Sequence, residues 1–335
     1  MGKVLKIGTR DSQLAVWQAT LVKNELAKHH VESELVYIKS DGDIDLVTPI
    51  YAMNVQGVFT KTLDAALLAK RIDIAVHSMK DVPTQLAQGI QQAAVLKRAS
   101  YKDIFVYRDE SIVERWNLGD DSLTSLSVPK VSDKQVGLTI ATSSIRRKAQ
   151  WLNRYPGTTI ENLRGNVNTR LRKVEGSQWD GAIFAAAGVE RINVRPEKSI
   201  ELNWMRPAPA QGAIMVVCRE DDGGSKEICG VLNDGATALC TKLERDFLKT
   251  LMGGCSTPIS ALAEIENGIL YFKGSILSLD GKEKVAVERE FTLPIDENLV
   301  AVDNFNASTW GIECAMWVLS NGGANIAEKI RNAAQ

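Results

Sequence analysis

The α/β character of this chain is clearest in residues 72–83, which read IDIAVHSMKDVP. The apolar run predicts a buried strand, and this strand leads directly into Ser78, Lys80 and Asp81 before Pro83 ends it. Ligands of open α/β sheets gather beyond the carboxyl ends of the strands, so these polar side chains are candidates for a binding or catalytic site. The alternative is an ordinary exposed Lys-Asp pair on a surface turn.

The start of the chain predicts a βαβ unit beside this strand. Residues 3–7 alternate like a strand, a helix capped by Asp11 or Ser12 follows, and residues 35–38 return as a strand. The intervening turn puts Arg10 and Ser12 at a helix N-terminus, where free backbone N–H groups favour an anion. A plain capping turn with a solvated arginine is the alternative.

Two further segments separate this unit from the 72–83 strand. Residues 40–56 have weak periodicity and are predicted to form a long loop, of a length that often serves as a functional lid. A helix is predicted over residues 59–70 and carries Lys61 in its first turn.

A second α/β unit begins with the strand predicted at residues 136–141. This strand delivers Ser143 and Ser144 to a helix that opens with Arg146 and Arg147. Eight basic residues fall between positions 141 and 173, against a single acid, Glu161. They are Arg146, Arg147, Lys148, Arg154, Arg164, Arg170, Arg172 and Lys173. A further strand over residues 181–187 leads through Gly188 to Arg191.

This basic cluster predicts a site for a polyanionic small molecule. The chain as a whole has a net charge of −1, so the excess is local, and the planar fork of arginine pairs well with carboxylates and phosphates. Nucleic acid stays open as an alternative, although Trp151 and Tyr155 are the only aromatic residues in this stretch for base stacking.

Composition narrows the class of protein. The 335 residues are 44% hydrophobic and 24% charged. The start of the chain has no apolar core as long as that of a signal peptide, and no apolar run is long enough to span a membrane. The five cysteines are widely spaced and lack a Cys-x-x-Cys, and only three histidines are present. We therefore expect no disulfide framework, no metal site, a reducing cytoplasmic location and no nucleic-acid binding driven by bulk charge.

The chain is predicted to divide into three domains. A polar stretch follows residue 108, and residues 207–212 (PAPAQG) form a stiff connector, so the chain is expected to cross between domains at both places. The first α/β domain is then residues 1–108 with 213–235, and the second is residues 109–212. Residues 236–335 form a small α+β domain. In its last helix, Trp310, Met316 and Trp317 are interpreted as core residues.

One cysteine has an unusual setting. A helical run from about residue 237 ends at Gly253 and Gly254, Cys255 follows at once, and Pro258 comes three residues later. This pattern predicts a thiol on a short, defined turn with room for a bulky group over the glycines. The alternative is a small buried apolar residue, as most free cysteines are.

These segments together resemble the hydroxymethylbilane synthase family, also called porphobilinogen deaminase, over essentially the whole chain. The matching pieces are Thr9-Arg10-Asp11-Ser12, Phe59-Thr60-Lys61, the 77–83 segment, Thr142-Ser143-Ser144-Ile145-Arg146-Arg147, Leu163-Arg164-Gly165-Asn166-Val167 with Thr169-Arg170, Gln211-Gly212 and Gly253-Gly254-Cys255. Each piece alone is weak, but their order and spacing are specific. The resemblance implies two α/β domains of the type II periplasmic-binding-protein kind and a C-terminal α+β domain.

The resemblance also implies an activity. The family joins four porphobilinogen molecules head to tail, with loss of ammonia at each, to give the linear tetrapyrrole hydroxymethylbilane. The chain grows on a dipyrromethane cofactor held by a thioether to the residue that matches Cys255, and the family is usually monomeric.

Residue roles follow from the matched positions. Asp81 matches the catalytic aspartate. The positions implied to bind the cofactor, besides Cys255, are Lys80, Ser143, Ser144, Arg146, Arg147 and Arg170. The positions implied to bind substrate are Arg10, Ser12, Lys61, Ser78, Arg164, Arg191 and Gln211.

Some positions depart from the family pattern. Val55-Gln56-Gly57 stands where Gly-Lys-Gly is usual, which removes a lysine from the predicted loop. Ala141 and Ala210 each replace a glycine. A non-catalytic anion-binding protein of periplasmic-binding architecture is the main alternative, but it gives no reason for Asp81 or for the Gly-Gly-Cys turn.

Overall fold

The computed structural model describes residues 4–39, 60–119, 137–251, 257–293 and 307–333. Its strands are β1 Leu5–Thr9, β2 Ser33–Tyr37, β3 Ile74–Ser78, β4 Ile90–Val95, β5 Asp103–Tyr107, β6 Thr139–Ala141, β7 Thr159–Glu161, β8 Gly181–Ala185, β9 Ser199–Glu201, β10 Ile214–Arg219, β11 Ile259–Glu266, β12 Ile269–Leu277 and β13 Lys284–Thr292. Its helices are α1 Gln13–Lys28, α2 Lys61–Leu68, α3 Glu110–Arg115, α4 Ile145–Arg154, α5 Val167–Glu175, α6 Ala186–Glu190, α7 Gly223–Gly230, α8 Gly235–Thr250, α9 Ala307–Val318 and α10 Ala324–Ala333. The predicted loop over residues 40–56 and Cys255 lie outside the described residues.

The first sheet has the strand order β2-β1-β3-β10-β4. Its first three strands are parallel, and β10 runs antiparallel between β3 and β4. Helix α1 covers one face, where Val22 and Leu26 pack on Ile7 and Ile74. Helix α2 covers the other face through Leu63 and neighbouring apolar residues. Because both faces of the sheet are covered, the inner strands β3 and β10 are buried along almost their whole length.

The second sheet repeats this plan with the order β7-β6-β8-β5-β9. Strand β6 is parallel to β7 and β8, and β5 runs antiparallel between β8 and β9. The core beneath α4 is aromatic, with the Trp151 ring 5.1 Å from both Phe105 and Tyr155 between ring centroids. Two sheets of the same order, joined by two passages of the chain, confirm the predicted pair of similar α/β domains.

One predicted boundary is wrong. Residues 104–107 were assigned to the first domain, but strand β5 pairs with β8 and β9 and so belongs to the second sheet. The chain therefore crosses between β4 and β5, over residues 96–102, before the polar stretch begins. The sequence of a short apolar strand does not indicate which of two similar sheets the strand joins. Composition therefore favoured a domain crossing at the polar segment that follows the strand.

The C-terminal unit is a three-stranded antiparallel sheet, β11-β12-β13, packed against α8, α9 and α10. Phe247 and Phe272 lie at its centre with ring centroids 5.3 Å apart. Helix α9 packs very closely on α8, since a Cβ at Gly311 would overlap the carbonyl oxygen of Leu243. The predicted final helix is two helices, because the backbone turns at Leu319–Gly323, where Gly322 has a φ of 105°.

The core prediction for α9 was partly wrong. Trp310 stacks on Phe291 with ring centroids 4.3 Å apart, but Met316 is 53% and Trp317 is 38% exposed. The inner face of α9 uses smaller residues, among them Ala315, and this allows the close approach to α8. No helix within the described ranges is both long and apolar enough to span a bilayer.

The three units meet at the carboxylate of Glu244, a fully buried residue of α8. Glu244 accepts two hydrogen bonds from Arg98, with N–O distances of 2.6 and 3.1 Å. It also accepts from the backbone N–H groups of Ala210, at 2.6 Å, and Ala263, at 2.8 Å. Arg98 lies in the first crossing, Ala210 in the second and Ala263 in the C-terminal sheet, so one side chain joins all three units.

Candidate active site

A cleft of about 330 Å³ lies where the two α/β sheets and α8 face each other. It brings together every predicted site residue that the structure describes, with the exception of Lys61. Those lining it are Arg10, Ser12, Ser78, Lys80, Asp81, Ser143, Ser144, Arg146, Arg147, Arg164, Arg170, Arg191 and Gln211. Most of them follow a strand or begin a helix, so the carboxyl ends of the strands gather them as the α/β pattern predicts.

Lys61 lies apart from this group. Lys61 lines an adjoining pocket of about 270 Å³ together with His77, and this pocket shares Val82 and Pro83 with the cleft. Burial and the charge of Arg10 lower the pKa of His77 to about 4, so its imidazole is neutral at pH 7. Cys255 lies outside the described residues.

The helix N-termini at the cleft are capped by short polar side chains. The hydroxyl of Ser12 accepts from the backbone N–H of Ala15 at the start of α1, and that of Ser144 accepts from Arg147 at the start of α4, both at 3.4 Å. The neighbouring Ser143 hydroxyl donates to the carbonyl of Leu163 at 2.8 Å. The remaining N–H groups of each first turn are not used by the caps, and they face the cleft with the positive end of the helix dipole. Both features favour the binding of anions in the cleft.

The charges around the cleft are strongly unequal. Within the described part of the chain, seven arginines and one lysine line it, and Asp81 is the one acidic residue that does. Asp81 ends the 3-10 turn Met79–Asp81, which directly follows β3, and its side chain is half-buried. A lone carboxylate among cations is therefore placed where an organic cation or a proton could be stabilised.

A buried acid beneath the cleft was missed by the sequence analysis. Asp103, at the start of β5, is fully buried and forms ion pairs with Arg146 and Arg147, each with an N–O distance of 2.8 Å. The two guanidinium groups, together with a hydrogen bond from Gln211, overcome the effect of burial and lower the pKa of Asp103 to about 2. Asp103 is thus charged at pH 7 and fixes both arginines.

Gln211 connects this acid to Lys80, in the 3-10 turn that carries Asp81. Its amide nitrogen donates to Asp103 at 2.9 Å and to the carbonyl of Tyr101 at 2.7 Å, and its amide oxygen accepts from Lys80 at 3.3 Å. Burial lowers the pKa of Lys80 to about 8, with opposing contributions from Asp81 and Arg147. Gln211 therefore spans the two α/β domains at the floor of the cleft.

Two arginines carry charges that burial disfavours. The pKa of Arg170 falls to about 10, mainly through burial and also through the charge of Arg147. Burial also lowers the pKa of Arg191 to about 10. Each uses one donor on a backbone carbonyl, Arg170 on Gly165 and Arg191 on Gly212, both at 2.7 Å. A ligand carboxylate beside such a guanidinium would stabilise its charged form.

The comparisons with known proteins cover almost the whole chain. The sequence model described as porphobilinogen deaminase, dipyromethane cofactor binding domain, matches residues 5–227, and the model described as porphobilinogen deaminase, C-terminal domain, matches residues 238–303. The chain belongs to the porphobilinogen deaminase family. The family resemblance identified from the motifs is therefore confirmed.

Curated members of the porphobilinogen deaminase family match at similar levels. The porphobilinogen deaminase of Chlorobium phaeobacteroides is 37% identical over 335 residues, which covers 99% of both chains. That of Acidithiobacillus ferrooxidans is 34% identical and covers 98% of this chain and 99% of its own. That of Chloroherpeton thalassium is 36% identical and covers 89% of this chain and 91% of its own.

Solved structures outside the family are more distant. The periplasmic VFT2 domain of BvgS from Bordetella pertussis is 12% identical, with a TM-score of 0.38, and covers 68% of this chain and 85% of its own. The substrate binding protein of an amino acid ABC transporter is 10% identical, with a TM-score of 0.35, and covers 69% of this chain and 91% of its own.

The structure adds residues of the C-terminal unit to the site of this family member. Arg245 and Leu248 of α8 line the cleft, as do Thr257 and Ile259. The sequence analysis considered this helix only as the element that precedes the Cys255 turn. The signal for Arg245 was weak, because a basic residue on an amphipathic helix usually faces solvent.

Proposed function

We propose that this chain is a hydroxymethylbilane synthase, which joins four porphobilinogen molecules head to tail. In each condensation the C–N bond of an aminomethyl group breaks with release of ammonia, a C–C bond forms to the free α-carbon of the growing chain, and that carbon loses a proton. The observation that carries the proposal is that, among the described residues, Asp81 supplies the one carboxylate of a cleft whose other charged side chains are arginines and a lysine.

The proposed role of Asp81 follows from where charge develops. Loss of ammonia leaves a cationic methylene-pyrrole, and a preorganised carboxylate stabilises such a cation more than it stabilises the neutral substrate. The same carboxylate is placed to hold a pyrrole N–H and to assist proton transfer. Cations around it would repel the intermediate if they were not occupied by substrate carboxylates, and each pyrrole ring carries an acetate and a propionate.

The residues fit the dipyrromethane cofactor of the family. The half-buried guanidinium of Arg170 has a depressed pKa, and the N-terminus of α4 is directed at the same space, so a polycarboxylate is the complementary ligand. We propose that the residues that hold the dipyrromethane cofactor are Lys80, Ser143, Ser144, Arg146, Arg147 and Arg170. When bound, the group supplies the free α-position to which the first substrate unit is joined. We propose Cys255 as its thioether anchor, two residues before Thr257, which lines the cleft.

The remaining predicted residues are proposed to act on substrate and on the growing chain. Arg10, Ser12, Arg164 and Arg191 line the cleft with donors suited to carboxylates. We infer that Ser78 and Gln211 act mainly by positioning, since Ser78 is hydrogen bonded to Gln18 and Gln211 to Asp103. The role proposed for Lys61 is supported by its sequence motif and its place in the adjoining pocket. We further propose that the protein is cytoplasmic and monomeric. Light scattering of the purified protein would test the monomeric state.

The first test is an intact-mass spectrum of the purified protein followed by peptide mapping. We expect a two-ring pyrrole adduct on Cys255. If the thiol is free, incubation with porphobilinogen distinguishes an apo-enzyme, which gains the adduct and releases ammonia, from an anion-binding protein, which does neither.

The second test is the variant Asp81→Ala. We expect it to retain the fold and the adduct but to lose turnover by at least about 100-fold, because the stabilising carboxylate is absent. Asp11→Ala is the matched control, since Asp11 is an exposed acid beside the cleft residues Arg10 and Ser12. Tetrapyrrole formation by Asp81→Ala at the wild-type rate would contradict the assigned role.

A further inference from the structure

Arg245 contacts the turn that carries Asp81. Its guanidinium donates to the carbonyl of Val82 at 2.9 Å and to that of Pro83 at 2.6 Å, with a longer contact of 3.4 Å to Met79. Met79 is the first residue of the 3-10 turn, and Val82 and Pro83 directly follow its last residue. One planar group from the C-terminal unit therefore bridges the two ends of the turn.

Other contacts hold the start of the turn, where Met79 is buried and its backbone N–H donates to the carbonyl of Ala213 at 3.0 Å. The turn is three residues long, and Ser78 provides no side-chain cap. Its end is closed by a backbone bond from Val82 to Met79 at 3.2 Å. Pro83 has no N–H to donate. Short 3-10 turns have poor hydrogen-bond geometry, and a guanidinium donating to carbonyls at the end of a turn gives stronger, charge-assisted bonds.

Helix α8 is itself firmly placed. Glu244, the residue before Arg245, is the carboxylate that joins both chain crossings and the C-terminal sheet. One turn later, Leu248 lines the cleft, and the chain continues from the end of α8 toward Cys255. The helix therefore connects the part of the chain that bears the proposed anchor with the turn that bears the proposed catalytic carboxylate.

We propose that Arg245 is a positioning residue that fixes the Asp81 turn relative to the C-terminal domain. This inference rests on the function proposed above for Asp81. In this role Arg245 acts by donating hydrogen bonds to the carbonyls of Met79, Val82 and Pro83. It does not act by binding a substrate carboxylate. A displacement of a reacting group by about 1 Å can cost a factor of about 100 in rate, so the effect should be in turnover.

The test compares Arg245→Met with Lys249→Met. Lys249 is an exposed basic residue one turn further along α8, so the control removes the same charge from the same helix. We expect Arg245→Met to keep the Cys255 adduct and to lower kcat by about 10-fold to 100-fold, with KM changed less than about 3-fold. Arg245→Lys, which keeps part of the donor set, should recover part of the loss.

A double-mutant cycle separates positioning from substrate binding. In an Asp81→Glu background, adding Arg245→Met should cost less than about 3-fold, since the two changes act on one element. A KM increase of 10-fold or more with an unchanged kcat would assign Arg245 to substrate binding and overturn the proposal. Fully additive losses, or an equal loss in Lys249→Met, would overturn it as well.

Hydrogen exchange gives a readout that does not depend on activity. Mass spectrometry of the peptide that spans residues 79–86 should show faster amide exchange in Arg245→Met than in the wild type and in Lys249→Met. Unchanged exchange there would refute the positioning role of Arg245 even in an active enzyme. A wild-type protein that forms no tetrapyrrole would instead refute the proposed function. The exchange result would still show whether Arg245 fixes the Asp81 turn.

Discussion

Asp103→Asn tests whether the buried acid beneath the cleft holds Arg146 and Arg147. The pKa of Asp103 is about 2 in the folded protein against 3.8 for a free side chain, which corresponds to about 2 kcal/mol of stability at neutral pH. Leaving two buried guanidinium groups without their counter-charge raises the expected cost toward about 5 kcal/mol. The free energy of unfolding should therefore fall by about 2–5 kcal/mol.

The assay is thermal unfolding of the apo-protein at pH 7. At about 2–4 °C per kcal/mol for a unit of this size, Tm should fall by at least about 4 °C. Since the pKa of Asp103 is lowered on folding, its contribution is fully present above pH 3.8 and is lost as the pH falls toward about 2. The difference in unfolding free energy between wild type and variant should therefore shrink below about pH 4.

Glu175→Gln is the control for this experiment. Glu175 is an exposed acid at the end of α5 in the same domain, so the variant removes one negative charge without touching the cleft. Bound carboxylates replace part of the lost counter-charge, so the decrease in Tm for Asp103→Asn should be smaller in the holo-protein. A decrease within about 1 °C of that for Glu175→Gln would refute the reasoning, because it would mean that the two arginines do not depend on Asp103.

Two further predictions concern the second chain crossing and the cleft lysine. Ala210 has a φ of 62°, a conformation that costs an L-residue about 1–2 kcal/mol, so Ala210→Gly should raise Tm by about 1–3 °C after allowance for the greater freedom of glycine in the unfolded chain. A lower Tm in a melting scan would mean that packing of the buried methyl group outweighs the strain. The pKa of Lys80 is about 8, so the affinity of the apo-protein for a dipyrromethane carboxylate should weaken above pH 8, whereas Lys80→Arg should bind evenly up to about pH 10. Fluorescence titration would measure both profiles, and identical pH profiles for the two proteins would rule out Lys80 as the titrating group.

Local patterns in the sequence predicted much of the fold and most of the cleft. Ser12, one of the two predicted caps of α1, precedes an apolar helical pattern and forms the expected bond. Arginines that are distant in the chain gather because they follow strands whose carboxyl ends share an edge. These features depend on short-range rules, so one sequence is enough to recover them.

Features that depend on long-range partners were missed. Asp103 begins an apolar strand like any other, and its partners Arg146 and Arg147 lie more than 40 residues away in the chain. Similarly, Arg245 bonds to carbonyls about 160 residues earlier, for which a sequence pattern gives no sign. The exposure of Met316 and Trp317 has the same origin, since hydrophobicity does not say which face of a helix meets its neighbour.

The bonds of Glu244 limit how the cleft can widen as a product lengthens. Both covalent passages between the α/β domains are tied to this one carboxylate, through Arg98 and Ala210, and the C-terminal sheet is tied to it through Ala263. The domains cannot slide apart without breaking these bonds. An opening that preserves them is a rotation about an axis near Glu244, which changes the mouth of the cleft most and its floor, at Gln211, least.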